Sequence, residues 1–131
     1  MMNTYAQPYY AGSTALLEAI ERDDVAVLGE AIVGAALYEE DFEVVHDACV
    51  RLSAHADETV RGNAVLGFGH LARLFGRASA EAVEIVRRAL GDASPYVRGQ
   101  GWAAASDLRH FLGTDIDPDE GAPIAEPQQY E

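Results

Sequence analysis

Four histidines and one cysteine are the residue types best suited to metal or nucleophilic chemistry, and their spacing argues against both. His46 and Cys49 are three apart, one helical turn. His55 stands nine beyond His46, and His70 lies further along the chain. Zinc ligands usually come in tighter pairs. A nucleophilic cysteine needs basic surroundings that favour its thiolate, whereas acids crowd the stretch around Cys49 and push its pKa the wrong way. The chain has no GxSxG, no glycine-rich phosphate loop after a strand and no HExxH. The glycines of GNAVLGFGH fall inside a helical pattern, where they permit close helix crossing. Asp115, Asp117 and Asp119 alternate as at the start of a calcium loop, but Pro118 intervenes. The expectation is no catalytic residue, no metal and no cofactor.

The remaining chemistry is charge. Glu39, Glu40, Asp41, Glu43 and Asp47 gather at one turn and the start of the helix after it, with Asp23, Asp24 and Glu30 nearby in sequence. Such a cluster is either a solvated face or a patch that steers a basic partner into place. The chain carries 22 acids against nine basic residues, all arginine, for a net charge of −13. That balance argues against a sequence-tolerant nucleic-acid binder and against docking on an anionic membrane. The charge is uneven: −10 over residues 1–60, +3 over 61–113 and −6 over 114–131.

At 131 residues with 49% apolar content, the chain is one domain able to build its own core. A single cysteine excludes an internal disulfide or a CxxC motif. No apolar run reaches the length of a membrane span, and the start lacks the pattern of a secretion signal, so a cytoplasmic location is expected. Stripes at the 3.6-residue period and legible caps predict six helices, over 13–21, 24–37, 41–54, 58–75, 79–90 and 95–112. Ser13, Asp23 or Asp24, Asp41, Asp57, Ser79 and Ser94 are the expected caps, with Gly76, Gly91 and Gly113 as stops. Residues 1–12, with their tyrosines, are expected to pack on this body. Residues 114–131, acidic and proline-containing, are expected to be an extended or disordered tail.

Two segments align at a spacing of 37 residues: HADETVRGNAVLGFGHLARLFG from His55 and DASPYVRGQGWAAASDLRHFLG from Asp92. Val60-Arg61-Gly62 falls on Val97-Arg98-Gly99, Leu71 on Leu108 and Gly76 on Gly113. Each copy follows a shorter helix of its own. The first helix pair reads as a degenerate third copy, with Val25 at the valine position and Ala26 where the others have arginine. A two-helix unit at this period is the mark of an α-solenoid. These residues resemble the HEAT-type repeat family. More loosely, the acidic chain with AVLGFGHLARLFG is similar to small bacterial HEAT-like proteins, some of which are immunity proteins of toxin–immunity pairs. The resemblance implies an all-α fold, a short right-handed HEAT-like solenoid of about three helix pairs over residues 1–113. It says little about activity, because such arrays host many functions.

Arg61 and Arg98 recur with the repeat. They read either as a phosphate or carboxylate pair or as an internal ladder that keys one unit to the next; recurrence favours the ladder. Asn63, His70, Gln100, Trp102 and Asp107 fall at corresponding places on the second helices. If they face outward they form a polar surface around one aromatic, the make-up of a binding hot spot. The other reading of Trp102 is core filling. The expected function is a non-enzymatic binding module that receives a basic protein partner, in a sharper form a toxin domain such as a nuclease. The competing expectations are an enzyme accessory or DNA-base-acting protein, and a self-associating structural unit.

Overall fold

The computed structural model describes residues 10–118, and among them every regular element is helical. The tyrosine-containing stretch 1–9 and the tail beyond Pro118 lie outside the described residues. Six helices follow one another: α1 (Ser13–Arg22), α2 (Val25–Tyr38), α3 (Phe42–Leu52), α4 (Glu58–Phe75), α5 (Ala80–Ala89) and α6 (Pro95–Leu112).

Local chemistry sets these boundaries. The side chains of Asp41, Asp57, Ser79 and Ser94 accept from backbone N–H groups in the first turns of α3, α4, α5 and α6, and Pro95 opens α6 with no N–H to strand. Gly76 and Gly113 close α4 and α6 in the left-handed conformation that glycine adopts without strain. The first two helices depart from expectation. Gly12, not Ser13, precedes α1, and Asp24 precedes α2 without a side-chain cap. Asp23 instead closes α1, in the left-handed region that aspartate tolerates better than most residues.

Helix α4 lies at the centre. It packs on α2 to one side and on α6 to the other, with α3 and α5 behind it. Phe68, Leu71 and Val60 of α4 are fully buried, together with Leu28 and Ile32 of α2, Val45 of α3, Val86 of α5, and Val97 and Leu108 of α6. Burying each such side chain contributes about 2 kcal/mol. Helices α4 and α6 approach each other closely. A Cβ on Gly69 would stand 3.0 Å from the Ala104 Cα, so only glycine lets the two backbones come this close.

The 37-residue correspondence between α4 and α6 holds at both helix ends, from Asp57 and Ser94 to Gly76 and Gly113. Between α2 and α4 the geometry gives 33 instead. Gly29 faces Thr59 and Asn63 as Gly62 faces Tyr96 and Gln100. On that register Val25 is not the counterpart of Val60. Leu28, fully buried, occupies the arginine position assigned in sequence to Ala26.

Candidate functional site

The acidic cluster divides between two ends of the molecule. Glu39, Glu40 and Asp41 form the turn from α2 to α3, and Glu43 and Asp47 occupy the first turns of α3. Asp23 and Asp24 sit at the opposite end of α2, about 20 Å away at 1.5 Å per residue. There Asp23 Oδ1 pairs with His55 Nε2 at 2.6 Å, tying the α1–α2 turn to the α3–α4 turn. Asp24 is exposed.

Within the larger group, three carboxylates have structural work. Glu39 accepts from the Tyr10 hydroxyl and from the Asp41 backbone N–H. These bonds, led by that of Tyr10, hold its carboxyl below the usual range, while burial and the same carboxylate push the Tyr10 phenol up. Asp41 caps α3. Glu43 reaches Arg77 at 3.4 Å, and the Arg77 guanidinium lies 3.9 Å above the Phe42 ring. Glu40, Asp41, Glu43 and Asp47 are all exposed. The ligand atoms of Glu43, His46 and Asp47 lie within 4.8 Å of one another. Both ring nitrogens of His46 are engaged, Nδ1 with Asp47 at 3.0 Å and Nε2 with the Ser79 hydroxyl at 2.7 Å. The spacing i, i+3, i+4 on one helix face was visible in sequence; the Ser79 contact from the far side of the turn was not.

The polar side chains of the second helices bond to one another along a half-buried seam, with Tyr96 exposed. Asn63 donates to the Gly29 carbonyl at 3.0 Å, and its own carbonyl oxygen accepts from Tyr96 and from Gln100. Gln100 also donates to the Tyr96 hydroxyl at 3.0 Å. The row thus stitches α2 to α4 and α4 to α6. His70 and Asp107 belong to the same seam, close to Gly69. Burial and the neighbouring Arg73 lower the His70 pKa, and Asp107 partly opposes them. Tyr96 is the member that sequence spacing did not place in the row.

Trp102 does not join it. A helix turns about 100° per residue, so Trp102 points some 200° away from Gln100. It lines a cleft of about 430 Å³ on the other flank of α6, with Arg109 and with Asp115, Ile116 and Asp117 of the chain that follows. The indole Nε1 is buried without a partner.

The two recurrent arginines form a ladder. Arg61 Nη1 donates to the carbonyls of His55 and Ala56, and Arg98 Nη1 donates to those of Asp92 and Ala93, six and five residues back in both cases. Arg61 adds a forked contact, Nε and Nη2 to the two carboxylate oxygens of Asp92 at 2.9 and 2.8 Å. That guanidinium holds the Asp92 carboxyl below its ordinary range and is itself shifted up by the same bond. The pair lines a cleft of about 350 Å³ among α3, α5 and the start of α6. Cys49 is fully buried, and burial alone pushes its thiol up to about 12, a different cause from the neighbouring acids expected in sequence.

No family model, curated protein or solved structure matches the chain. No helix among the described residues is long and apolar enough to cross a membrane.

Proposed function

We propose that the protein is a non-enzymatic binding module of the HEAT-like solenoid type whose acidic surface receives a basic protein. The observation that carries this reading is the turn from α2 into α3. Glu40, Asp41, Glu43 and Asp47 stand exposed over one turn and two helical turns, with Arg77 as the basic side chain paired there. A patch of one sign speeds and orients encounter with a partner of the opposite sign. In its sharper form the partner is a cationic toxin domain, such as a nuclease, whose phosphate cleft is filled by these carboxylates. The matching carbonyl grips of Arg61 and Arg98 support the repeat reading, because the same contact recurs at the same offset. The perturbed groups fit a binding role: Glu39, Asp92 and Arg61 are shifted by structural bonds, and the thiol is inaccessible.

The test is titration calorimetry of the full chain against basic nucleases and other cationic toxin domains at low and high salt. A complex that weakens as salt rises, and weakens further with Glu40→Lys and Asp47→Lys, supports the reading. Complexes indifferent to salt and to both substitutions overturn it. A second reading, self-association, draws on exposed Leu17, Val25 and Val27 of α1 and α2. Light scattering over a concentration series separates the two.

A further inference from the structure

Between α1 and α3 runs a groove of about 300 Å³. It arises because the two helices lean on different supports: α1 packs on α2, and α3 packs chiefly on α4. Leu17 and Ile20 of α1 form one apolar wall, and Val44 and Ala48 of α3 form the other. Within each pair the residues are one helical turn apart, so both point into the same furrow. Ile20 and Ala48 are buried at its floor, Val44 is half-buried, and Leu17 leaves 53% of its surface open. A lone exposed leucine is ordinary; one at the lip of an apolar groove offers a partner surface to cover.

The rim is charged unevenly. Glu43 and Asp47 stand along the α3 wall, and Arg51 closes the far end. Glu21 stands one turn beyond Leu17 on α1, and all four are exposed. Glu43 shares its carboxylate with Arg77, itself exposed, at 3.4 Å. Both walls come from residues 1–60, which carry a net −10. A second copy brings the same acid excess and is repelled, whereas a basic partner is drawn in. On α3 the lining runs from Glu43 to Arg51, a rise of about 12 Å or two turns. Over that span a helix laid in a groove presents apolar residues at i, i+3 or i+4, and i+7.

We infer that the α1–α3 groove seats a basic amphipathic helix of the partner protein. Its leucine-sized side chains lie between Leu17 and Val44, and its lysines or arginines reach Glu43 and Asp47. The inference rests on the acidic surface being a docking surface, and it adds the apolar contact that charge alone lacks. Charge orients the encounter, and burial of the apolar anchor holds the complex.

The probes are three synthetic helical peptides of about four turns: one with leucine on one face and lysine on the other, one with every leucine replaced by alanine, and one with every lysine replaced by glutamate. Titration calorimetry of the full chain is expected to give the leucine–lysine peptide about tenfold tighter binding than the alanine–lysine peptide, the scale of burying one leucine-sized side chain. Leu17→Ser and Val44→Thr remove that gain and leave the alanine–lysine peptide unaffected. Glu43→Gln/Asp47→Asn weakens both lysine peptides, and the leucine–glutamate peptide does not bind. Equal affinity for the two lysine peptides overturns the groove, while salt-sensitive binding of both leaves the acidic-surface reading standing. A leucine gain that survives Leu17→Ser and Val44→Thr also overturns the groove. Failure of both lysine peptides to bind overturns the groove and the acidic-surface reading together. A dimer in light scattering that Leu17→Ser dissociates overturns the inference by giving the groove to a second copy.

Discussion

The two flanks of α6 meet different fates. On the inner flank polar groups are matched to α4 or to the turn before α6. Tyr96 and Gln100 bond Asn63, Asp92 locks onto Arg61, and the Ser94 hydroxyl donates to Glu58 at 2.7 Å. On the outer flank two donors are buried with no acceptor, and among the described residues Asp115, Ile116 and Asp117 line the cleft beside Trp102. The difference shows what a neighbouring helix supplies. It brings bulk to cover the donors and the particular carboxylate or amide that completes them, and the outer flank has only the first.

The strongest way to break the contrast is to pry the inner flank open. Gly69→Val places carbon against the Ala104 backbone, which cannot step aside, and is expected to cost about 3 kcal/mol in urea unfolding. A cost near zero would mean the two helices are not held this closely in solution. Asp92→Asn leaves Arg61 half-buried without its charge partner, with an expected loss of about 2 kcal/mol. Its pH dependence carries a sign. The carboxyl pKa is depressed in the folded state, so the pair's stabilisation is present above the unfolded value of about 4 and is lost as pH falls below it. The gap between wild type and Asp92→Asn should therefore close on acidification; a gap that widens contradicts the assignment. Arg98→Gln removes loop-carbonyl bonds but breaks no described ion pair, and about 1 kcal/mol is expected. Equal costs for Arg98→Gln and Arg61→Gln would erase the distinction between the flanks. The smallest effect belongs to the acidic turn: Glu40→Gln, exposed, should change stability by less than about 0.5 kcal/mol while slowing capture of any basic partner.

Helix positions were legible because caps are local. Asp57, Ser79 and Ser94 act on the turn they begin, and their neighbours in sequence suffice to read them. The 37-residue repeat was legible for α4 and α6, where both arginines survive. It misplaced the first pair, because a buried leucine in place of arginine leaves no mark to align on. The polar row was half legible. Spacing put Asn63, His70, Gln100 and Asp107 at corresponding places on the two helices, yet nothing local says that Asn63 spends its amide on the Gly29 carbonyl. Trp102 was assigned to the row through the repeat, although two residues along a helix carry a side chain to the far side. The acidic cluster was read from sequence proximity, which cannot show that a helix 14 residues long holds Asp24 apart from Glu39.

Gly67 has a use beyond packing. The Cys49 sulfur sits 2.6 Å from the point where a Cβ on Gly67 would stand, so the only thiol of the chain is sealed between α3 and α4. No alkylating reagent can reach it until α3 lifts away. The labelling rate of that sulfur is thus a stopwatch for the departure of the helix that bears Glu43 and Asp47. A bound partner that clamps the acidic turn would slow the stopwatch without touching the sulfur.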